Sequence, residues 1–300
     1  MTRNHPDART APSTLDVTLA NPRADRVRQV RALSGRSARS RHGLFLVEGP
    51  QGVREAVRWT AAGTVRDVYL TPAAAERYPE IVDAARDNAA GQPAHTGIAA
   101  ATLRLHVATP EVLEAMSQDA QGVLAVLRTR PAELDAELPG ARLVAVLCNV
   151  RDPGNAGTVI RAADAAGAGG VVLAGESVDL YNPKVVRATA GSLFHLPVVT
   201  GRVLADVVAR LHEAGFQVLA ADGGGEHDLD DLQDTAGRRG TPDLASPTAW
   251  LFGNEAWGLL PADRALADAV VRVPIRGRAE SLNLATAAAV CLYASSRAQR

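Results

Sequence analysis

Residues 270–290 read VVRVPIRGRAESLNLATAAAV, and this stretch decides the fold predicted for the second half of the chain. Its apolar start predicts a strand that ends at Pro274, because proline cannot donate to a strand ladder. A polar loop that contains glycine follows. Ser281 or Asn283 then suits the N-cap of a helix, since its side-chain oxygen can accept a hydrogen bond from an unpaired main-chain N–H. Taken alone, the stretch is explained equally well by an ordinary buried helix rich in small residues.

Two further motifs precede this stretch, and each follows an apolar segment that predicts a strand. After Leu143–Leu147 comes NVRDPGNAGTVIR, residues 149–161, in which proline and glycine break the strand and a helix begins near Asn155. After Ala249–Phe252 comes GNEAWGL, residues 253–259. Separately, the first motif is compatible with a capped helix that carries an incidental surface arginine. The second is compatible with a structural carboxylate at a helix start.

In this order, the three motifs resemble the signatures of SpoU (TrmH-type) RNA 2′-O-ribose methyltransferases, which belong to the knotted SPOUT class. The resemblance covers most of residues 143–293 and implies an α/β domain with a mostly parallel sheet. It also implies a trefoil knot, with roughly residues 251–293 threaded, and S-adenosylmethionine as the cofactor. A Rossmann-type fold is disfavoured, because the glycine-rich segment Gly167–Gly170 precedes the strand Val171–Ala174 instead of following it.

The resemblance also implies two groups of site residues. The catalytic group consists of Arg161, Asn155, Glu255, Ser281 and Asn283. The cofactor-binding group, which would act largely through main-chain atoms, consists of Gly253, Val273, Leu282, Leu251 and Leu284.

Arg161 is the residue that the resemblance matches to activation of the ribose hydroxyl. A guanidinium is effectively always protonated, so an arginine that acts as a true base is energetically expensive. We therefore expect Arg161 to stabilise the forming alkoxide and to hold a neighbouring phosphate.

The first part of the chain alternates predicted helices and strands, among them one helix over residues 72–89, which indicates a small α/β domain. The segments Asn21–Arg23, Arg36–Arg41 and Gly43–Gly49 resemble the RNA-binding domain that precedes the catalytic domain in many SpoU members. The strand within them has an equally good explanation as core, and both the arginine cluster and Glu48 fit either RNA contact or local structure. The candidate RNA-binding residues are Arg23, Arg36, Arg39 and Arg41.

The domain organisation predicted from these patterns has four parts. We expect a disordered tail at residues 1–17, an N-terminal RNA-binding domain at 18–128, a linker at 129–141 and the methyltransferase domain at 142–300. Residues 222–247 are rich in glycine, aspartate and arginine, and they predict a long surface loop with a local insertion at residues 234–241.

Composition adds limits to the function. The 300 residues carry a net charge of −1, so only the arginine-rich residues 1–42 indicate a nucleic-acid partner, and the alternative for them is a solvated basic tail. Lys184 is the only lysine. Cys148 and Cys291 lie in apolar runs that predict buried free thiols. No metal-ligand spacing, apolar leader or membrane span is present in the sequence, so we expect no metal, no membrane and a cytoplasmic protein.

The resulting hypothesis is S-adenosylmethionine-dependent methylation of a ribose 2′-hydroxyl in RNA. The resemblance of the first domain to the rRNA-targeting branch favours 23S rRNA. A tRNA 2′-O-methyltransferase and a non-catalytic RNA-binding member are the alternatives. The family resemblance further implies a homodimer, and the small residues of the last predicted helix suit tight packing either between or within chains.

Overall fold

The computed structural model describes residues 17–90, 103–238, 240 and 242–300. The predicted disordered tail lies outside these residues, apart from Val17. The described chain forms two α/β units, each built on its own sheet.

The strands and helices alternate along most of the chain. The strands are β1 (Leu44–Glu48), β2 (Val65–Leu70), β3 (Arg104–Val107), β4 (Val123–Arg128), β5 (Leu143–Cys148), β6 (Gly170–Ala174), β7 (Val198–Arg202), β8 (Gln217–Ala221), β9 (His227–Asp228), β10 (Thr248–Phe252) and β11 (Ala269–Arg272). The helices are α1 (Asp25–Ala32), α2 (Arg36–His42), α3 (Pro50–Trp59), α4 (Pro72–Arg77), α5 (Pro79–Ala90), α6 (Pro110–Met116), α7 (Leu134–Glu137), α8 (Pro153–Ala165), α9 (Pro183–Ala188), α10 (Leu204–Glu213), α11 (Leu229–Thr235), α12 (Pro261–Arg264) and α13 (Leu284–Ala298), with a 3-10 turn at Ser192–Phe194.

The first unit contains a four-stranded sheet in the order β1-β4-β2-β3. Strand β4 pairs antiparallel with both β1 and β2, whereas β2 and β3 are parallel. Every side chain of β1 is buried, because helices cover both faces of the sheet. This arrangement confirms the small α/β fold predicted for the first part of the chain.

The second unit contains a seven-stranded sheet in the order β7-β6-β5-β10-β8-β11-β9, and every pair in it is parallel. Parallel sheets need apolar cover on both faces, which explains why β5, β6 and β10 are wholly buried and apolar apart from Thr248. From β5, the chain continues to β6 and β7 on one side, and later to β8, β10 and β11 on the other. Ligands of such sheets bind at the carboxyl edge where the strand order reverses, here between β5 and β10.

Helices α8 and α13 lie side by side over the carboxyl half of this sheet. Asn283 contacts Asn155 at 3.0 Å, and the hydroxyl of Tyr293 donates to the main-chain oxygen of Ala165 at 3.3 Å. The second contact lies ten positions after the first on both helices, so the two helices run in the same direction. The α/β class predicted for residues 142–300 is confirmed, while the threading of residues 251–293 stays a prediction.

Polar contacts hold the two units together. Arg39 of α2 binds Asp179 at 2.6 Å, and Arg187 of α9 forms an ion pair with Glu48 at the end of β1. Apolar packing accompanies them, since Val186 belongs to the buried core of the first sheet. The only lysine, Lys184, is exposed on the rim of a cleft of roughly 690 Å³ between the units. The two sheets therefore share an interface, and the domain boundaries stay a prediction.

His195 forms a third link between the units. Its imidazole contacts Asp164 of α8 at 2.8 Å and Glu55 of α3 at 3.2 Å. Partial burial lowers the pKa of His195, but the hydrogen bonds to the two carboxylates outweigh it and raise the pKa above its ordinary value. The protonated ring can then donate to a carboxylate on each side.

Three predictions from the sequence need correction or refinement. The single helix expected over residues 72–89 is divided into α4 and α5, because Tyr78 leaves the helical conformation and Pro79 begins a new helix. Residues 222–247 are not one structureless loop. They contain β9 and α11, and α11 is capped by Asp228 and buries Leu229 and Leu232.

The predicted linker is likewise ordered in part. Residues 129–141 contain the short helix α7, and both Leu134 and Leu138 are buried among apolar side chains of the second sheet. These two leucines bind the connecting segment to the sheet that follows it, so the connection is not a free spacer.

The two cysteines confirm the thiol prediction. Cys148 in β5 and Cys291 in α13 are both free and buried. Burial raises the pKa of both thiols, that of Cys291 to about 12, so neither is a reactive thiolate near neutral pH. Within the described residues, no helix has the length and apolar character that crossing a bilayer requires.

The buried pair Trp250–Ser295 offers a test of the packing of α13. The indole N–H of Trp250 donates to Ser295 Oγ at 2.9 Å, and both residues are fully buried. Replacing Ser295 by alanine leaves that N–H without an acceptor and should lower the free energy of unfolding by about 1–3 kcal/mol in urea denaturation. Ser296→Ala is the matched control and should stay within about 0.5 kcal/mol. Equal losses for both variants would contradict the packing described.

Candidate active site

The loops after β5 and β10 meet the start of α13 at the carboxyl edge of the second sheet. Helix α8 begins there because Asp152 accepts a hydrogen bond from the main-chain N–H of Asn155 at 2.7 Å and Pro153 occupies the first turn. Helix α13 begins there because Asn283 Oδ1 accepts from the N–H groups of Ala285 and Thr286. The capping role predicted for Ser281 or Asn283 thus falls to Asn283.

A chain of side-chain hydrogen bonds connects the three sequence motifs. Asn283 Nδ2 donates to Asn155 Oδ1 at 3.0 Å, and Asn155 Nδ2 donates to Glu255 Oε1 at 3.3 Å. These contacts span 128 and 100 positions of sequence, respectively. Three of the five residues predicted to be catalytic therefore lie together.

Glu255 is the point at which this chain meets the start of α8. Its carboxylate accepts hydrogen bonds from the main-chain N–H groups of Asp152 at 3.0 Å and Arg151 at 3.3 Å. A carboxylate is favoured at this place because the first N–H groups of a helix lack partners and carry partial positive charge. The sequence left open that Glu255 is a structural carboxylate at a helix start. The structure shows this role, but the helix is α8 and not one that begins in the segment of Glu255 itself.

Asn254 holds the same two loops together, although its role could not be inferred from the motifs. It is buried, and its Nδ2 donates to the main-chain oxygen of Asn149 at 2.7 Å. Its own main-chain N–H and C=O pair with those of Gly258. Asn149 adopts a positive φ of 56° and accepts from the N–H of Glu176. The one signal for Asn254 in the sequence is its position between the two predicted site residues of its motif.

Positions 253 and 157 require glycine because another segment of the main chain lies too close for a Cβ. A Cβ at Gly253 would overlap main-chain atoms of Gly258 and Leu259, so the turn itself excludes a side chain there. The space beside Gly253 is therefore occupied by its own loop. At Gly157 a Cβ would lie 2.6 Å from the main-chain oxygen of Val185, which explains the tight contact of α8 with α9.

Arg161 and Ser281 lie outside the hydrogen-bonded group. Arg161 is on α8, six residues after Asn155, and its exposed side chain has no hydrogen bond or ion pair with any residue that the structure describes. Ser281 is exposed, two residues before the cap of α13. Both side chains are accessible to a ligand at this edge, and nothing in the described chain holds either in place.

The residues predicted to bind the cofactor differ in exposure. Leu251 is fully buried in β10, between β5 and β8, and Leu284 packs at the first turn of α13 against the core. Val273 is half-buried directly after β11, while Leu282 is 39% exposed. The side chain of Leu251 therefore cannot touch a ligand at the edge, and of these four residues Val273 and Leu282 are the better placed.

The segment from Val273 to Leu282 has a chemistry that suits an adenosyl group. No main-chain hydrogen bond to another main-chain group involves residues 273–282 in the part of the chain that the structure describes. Free N–H and C=O groups can bind the edge of an adenine base, and the apolar side chains of Val273, Ile275 and Leu282 can cover its faces. The residues present are compatible with S-adenosylmethionine.

The arginines predicted to bind RNA separate into two sets. Arg23, Arg36 and Arg41 are exposed on the first unit. Arg39 is buried and donates to Asp179 and to the main-chain oxygens of Leu33 and Ser34. The prediction of RNA contact for Arg39 is wrong, because its donors are consumed within the interface between the two units.

A parallel α/β sheet with a polar group at the switch in strand order is an arrangement typical of ligand-binding α/β proteins. The model of the SpoU rRNA Methylase family matches residues 142–293. The 23S rRNA (guanosine(2553)-2′-O)-methyltransferase of Bacillus subtilis is 31% identical over 269 residues, which cover 89% of this chain and 94% of that relative.

Two further comparisons involve Streptomyces viridochromogenes. Its 23S rRNA (uridine(2479)-2′-O)-methyltransferase is 44% identical over 149 residues, which cover 48% of this chain and 49% of that relative. The crystal structure of its SpoU methyltransferase AviRb in complex with AdoMet has a TM-score of 0.71 and 31% identity, and covers 92% of this chain and 98% of that chain. This chain belongs to the SpoU rRNA methylase family.

Substitution of Gly253 tests the geometry of the loop after β10. Gly253→Ala should disrupt residues 254–259, because the added Cβ would overlap main-chain atoms that can move only at a large cost in free energy. We expect faster amide hydrogen exchange in this segment and a loss of about 1–3 kcal/mol in the free energy of unfolding. Gly277→Ala is the matched control, because a Cβ there meets no atom within 4 Å. Unchanged exchange in Gly253→Ala would contradict the loop conformation.

Proposed function

We propose that this chain methylates a ribose 2′-hydroxyl in RNA, with S-adenosylmethionine as methyl donor and 23S rRNA as substrate. The observation that carries the proposal is the hydrogen-bonded chain Asn283–Asn155–Glu255 at the carboxyl edge of the sheet. It brings together the three motifs of a family whose relatives methylate 23S rRNA and whose member AviRb was crystallised with AdoMet.

The cofactor would be held by the loops that follow β10 and β11. Main-chain groups of residues 273–282 would bind the adenine, and the turn at Gly253 would form an adjacent wall. When bound, S-adenosylmethionine supplies an activated methyl group to an oxygen nucleophile. The amide and carboxylate groups of Asn155, Asn283 and Glu255 restrain one another, so they are preorganised to orient the reacting groups.

The ribose hydroxyl is a poor nucleophile until its proton begins to leave. Arg161 would lower this barrier by stabilising negative charge on the oxygen, because its guanidinium is always charged and is free of ion pairs with the described residues. The same group could hold an adjacent phosphate through two parallel hydrogen bonds. Ser281, exposed near the start of α13, would provide a further polar contact.

The first unit would deliver the RNA. Arg23, Arg36 and Arg41 are exposed there and provide charge for phosphate contact. The ion pair of Arg39 with Asp179 fixes α2, which carries two of these arginines, against the second unit. Phosphates bound by the first unit would therefore stand in a defined position relative to the methyl donor.

Substitution of Arg161 tests this mechanism. Arg161→Ala should reduce methyl transfer about 100- to 1000-fold, the loss typical of removing one group that stabilises an oxyanion. Affinity for S-adenosylmethionine, measured by calorimetry, should change less than about twofold. Arg300→Ala, an exposed arginine at the end of the chain, is the control for loss of one charge. Transfer of labelled methyl groups to 23S rRNA from cells that lack the gene is the readout.

Three results would each change a different part of the proposal. Failure of the wild-type protein to methylate that rRNA would remove the function, and transfer to tRNA instead would change the substrate. Retained activity in Arg161→Ala would remove Arg161 from the mechanism and leave the function intact.

We further propose that the protein acts as a homodimer through the exposed face of α13. Val290 and Tyr293 are 40% and 51% exposed on this helix, although both are large apolar or aromatic residues. Such side chains in one row, beside the proposed cofactor loop, fit a surface that a second copy covers.

Sedimentation equilibrium tests the dimer. The wild-type protein should sediment at twice the mass of one chain, and Val290→Asp should weaken association by at least about tenfold, because it places a charge in an apolar contact. Val203→Asp is the matched control, since Val203 is equally an exposed valine and lies at the start of α10. A wild-type monomer at micromolar concentration would refute the proposal.

A further inference from the structure

A second pocket, of roughly 340 Å³, lies between the two units and away from the proposed active site. It is formed by the end of α3, the end of β4 and the segment that leads into β7. Its lining includes Pro197 and Val198, at the amino end of β7, whereas the site residues gather at the carboxyl ends of β5 and β10. The pocket and the active site thus face different edges of the same parallel sheet.

Aromatic side chains form much of the wall of this pocket. Trp59, at the end of α3, is 65% exposed and lies edge-on to His195. Phe194 and Tyr181 belong to the second unit, and Tyr181 packs against Phe45 at 4.5 Å between ring centroids. A large exposed indole beside two further aromatic rings is a surface on which a planar ring can stack.

Cationic groups stand at the same pocket. Arg128 uses one nitrogen to donate to the main-chain oxygen of Gly63, which leaves its other donors available. The main chain of Arg130 is fixed by the hydroxyl of Tyr181, while its side chain is exposed. Glu137 is the one carboxylate in the lining, so the pocket has an excess of positive charge and also an acceptor for N–H groups.

Thr64 is a buried polar residue in the wall of the pocket. It is 5% exposed, and its Oγ1 has no hydrogen-bond partner in the part of the chain that the structure describes. This oxygen is almost inaccessible from the pocket, so recognition of a ligand rests on the aromatic and charged groups of the lining.

We propose that this pocket binds one unstacked nucleobase of the RNA substrate, at a nucleotide other than the one that is methylated. The base stacks on Trp59, its polar edge meets Glu137, and its flanking phosphates contact Arg128 and Arg130. RNA-binding proteins recognise single-stranded nucleotides with this combination of aromatic faces, arginines and edge acceptors. The inference rests on the proposed function, because it takes RNA as the substrate, and it adds a contact remote from the methyl donor.

The experiment compares methyl transfer to 23S rRNA by full-length variants over a range of RNA concentrations. Trp59→Ala should raise the KM for RNA about tenfold, the effect of losing one base–aromatic stack, with kcat unchanged. Trp59→Phe should recover most of the affinity, because a ring for stacking remains. Arg130→Ala should raise KM in a salt-dependent manner, and Arg300→Ala controls for the loss of one charge. In parallel, RNA that contains 4-thiouridine should crosslink to the pocket in the wild-type protein but not in Trp59→Ala.

The outcomes separate the two proposals. If the wild-type protein methylates RNA and Trp59→Ala has unchanged KM and crosslinks, the pocket inference is overturned and the function stands. If the wild-type protein neither binds nor methylates RNA, both fail. If Trp59→Ala alters only the sedimenting mass, the pocket is a protein interface, which also overturns the inference.

Discussion

The carboxylate of Glu255 accepts two main-chain N–H groups at the start of α8 and a third hydrogen bond from Asn155, which in turn binds Asn283. These groups lie at the ends of three secondary-structure elements, β10, α8 and α13. The loop after β10, the first turn of α8 and the cap of α13 consequently share one set of hydrogen bonds. Because helix starts have N–H groups without internal partners, a carboxylate from a distant loop satisfies them and fixes the loop as well.

The contact between the two sheets is the second constraint on the molecule. Arg39 and Asp179 form an ion pair in which the arginine is almost wholly buried, and its remaining donors meet main-chain oxygens of its own unit. A buried charge is tolerated when its nitrogens have partners, as all three nitrogens of Arg39 do, whereas one with missing partners is costly. Together with the links through Arg187 and His195, this pair favours a fixed relation between the arginine-bearing unit and the proposed active site.

The sequence was sufficient to predict the elements whose stabilisation is local. Strands β5, β6 and β10 are apolar runs in which Thr248 is the one polar residue, and such runs indicate buried strands. The parallel arrangement of the sheet was implied by the resemblance to the SpoU signatures. Helix α11 was missed, because it carries only Leu229 and Leu232 as buried residues within an acidic segment. Proline at position 79 was read as compatible with one helix, yet it starts a second, since a first helical turn tolerates it.

For the candidate site, the motifs identified which residues gather but not how they are bonded. Asn155, Glu255 and Asn283 are brought together by contacts over 100 or more positions, which no local pattern encodes. For the same reason no local pattern indicates that Arg39 binds Asp179, 140 residues away, and the cluster of arginines predicts RNA contact for this residue instead. Asn254 was missed because its contribution is to bind the main chain of another loop.

Because the chain has a single lysine, the cleft between the units can be labelled selectively. Lys184, the only lysine, is exposed at the start of α9 on the rim of that cleft. Amine-reactive dyes would therefore attach at one internal position, with the terminal amine as the other site of reaction. A fluorophore placed there would stand at the border between the arginine-bearing unit and the sheet, and its emission could follow the arrival of RNA without any engineered cysteine.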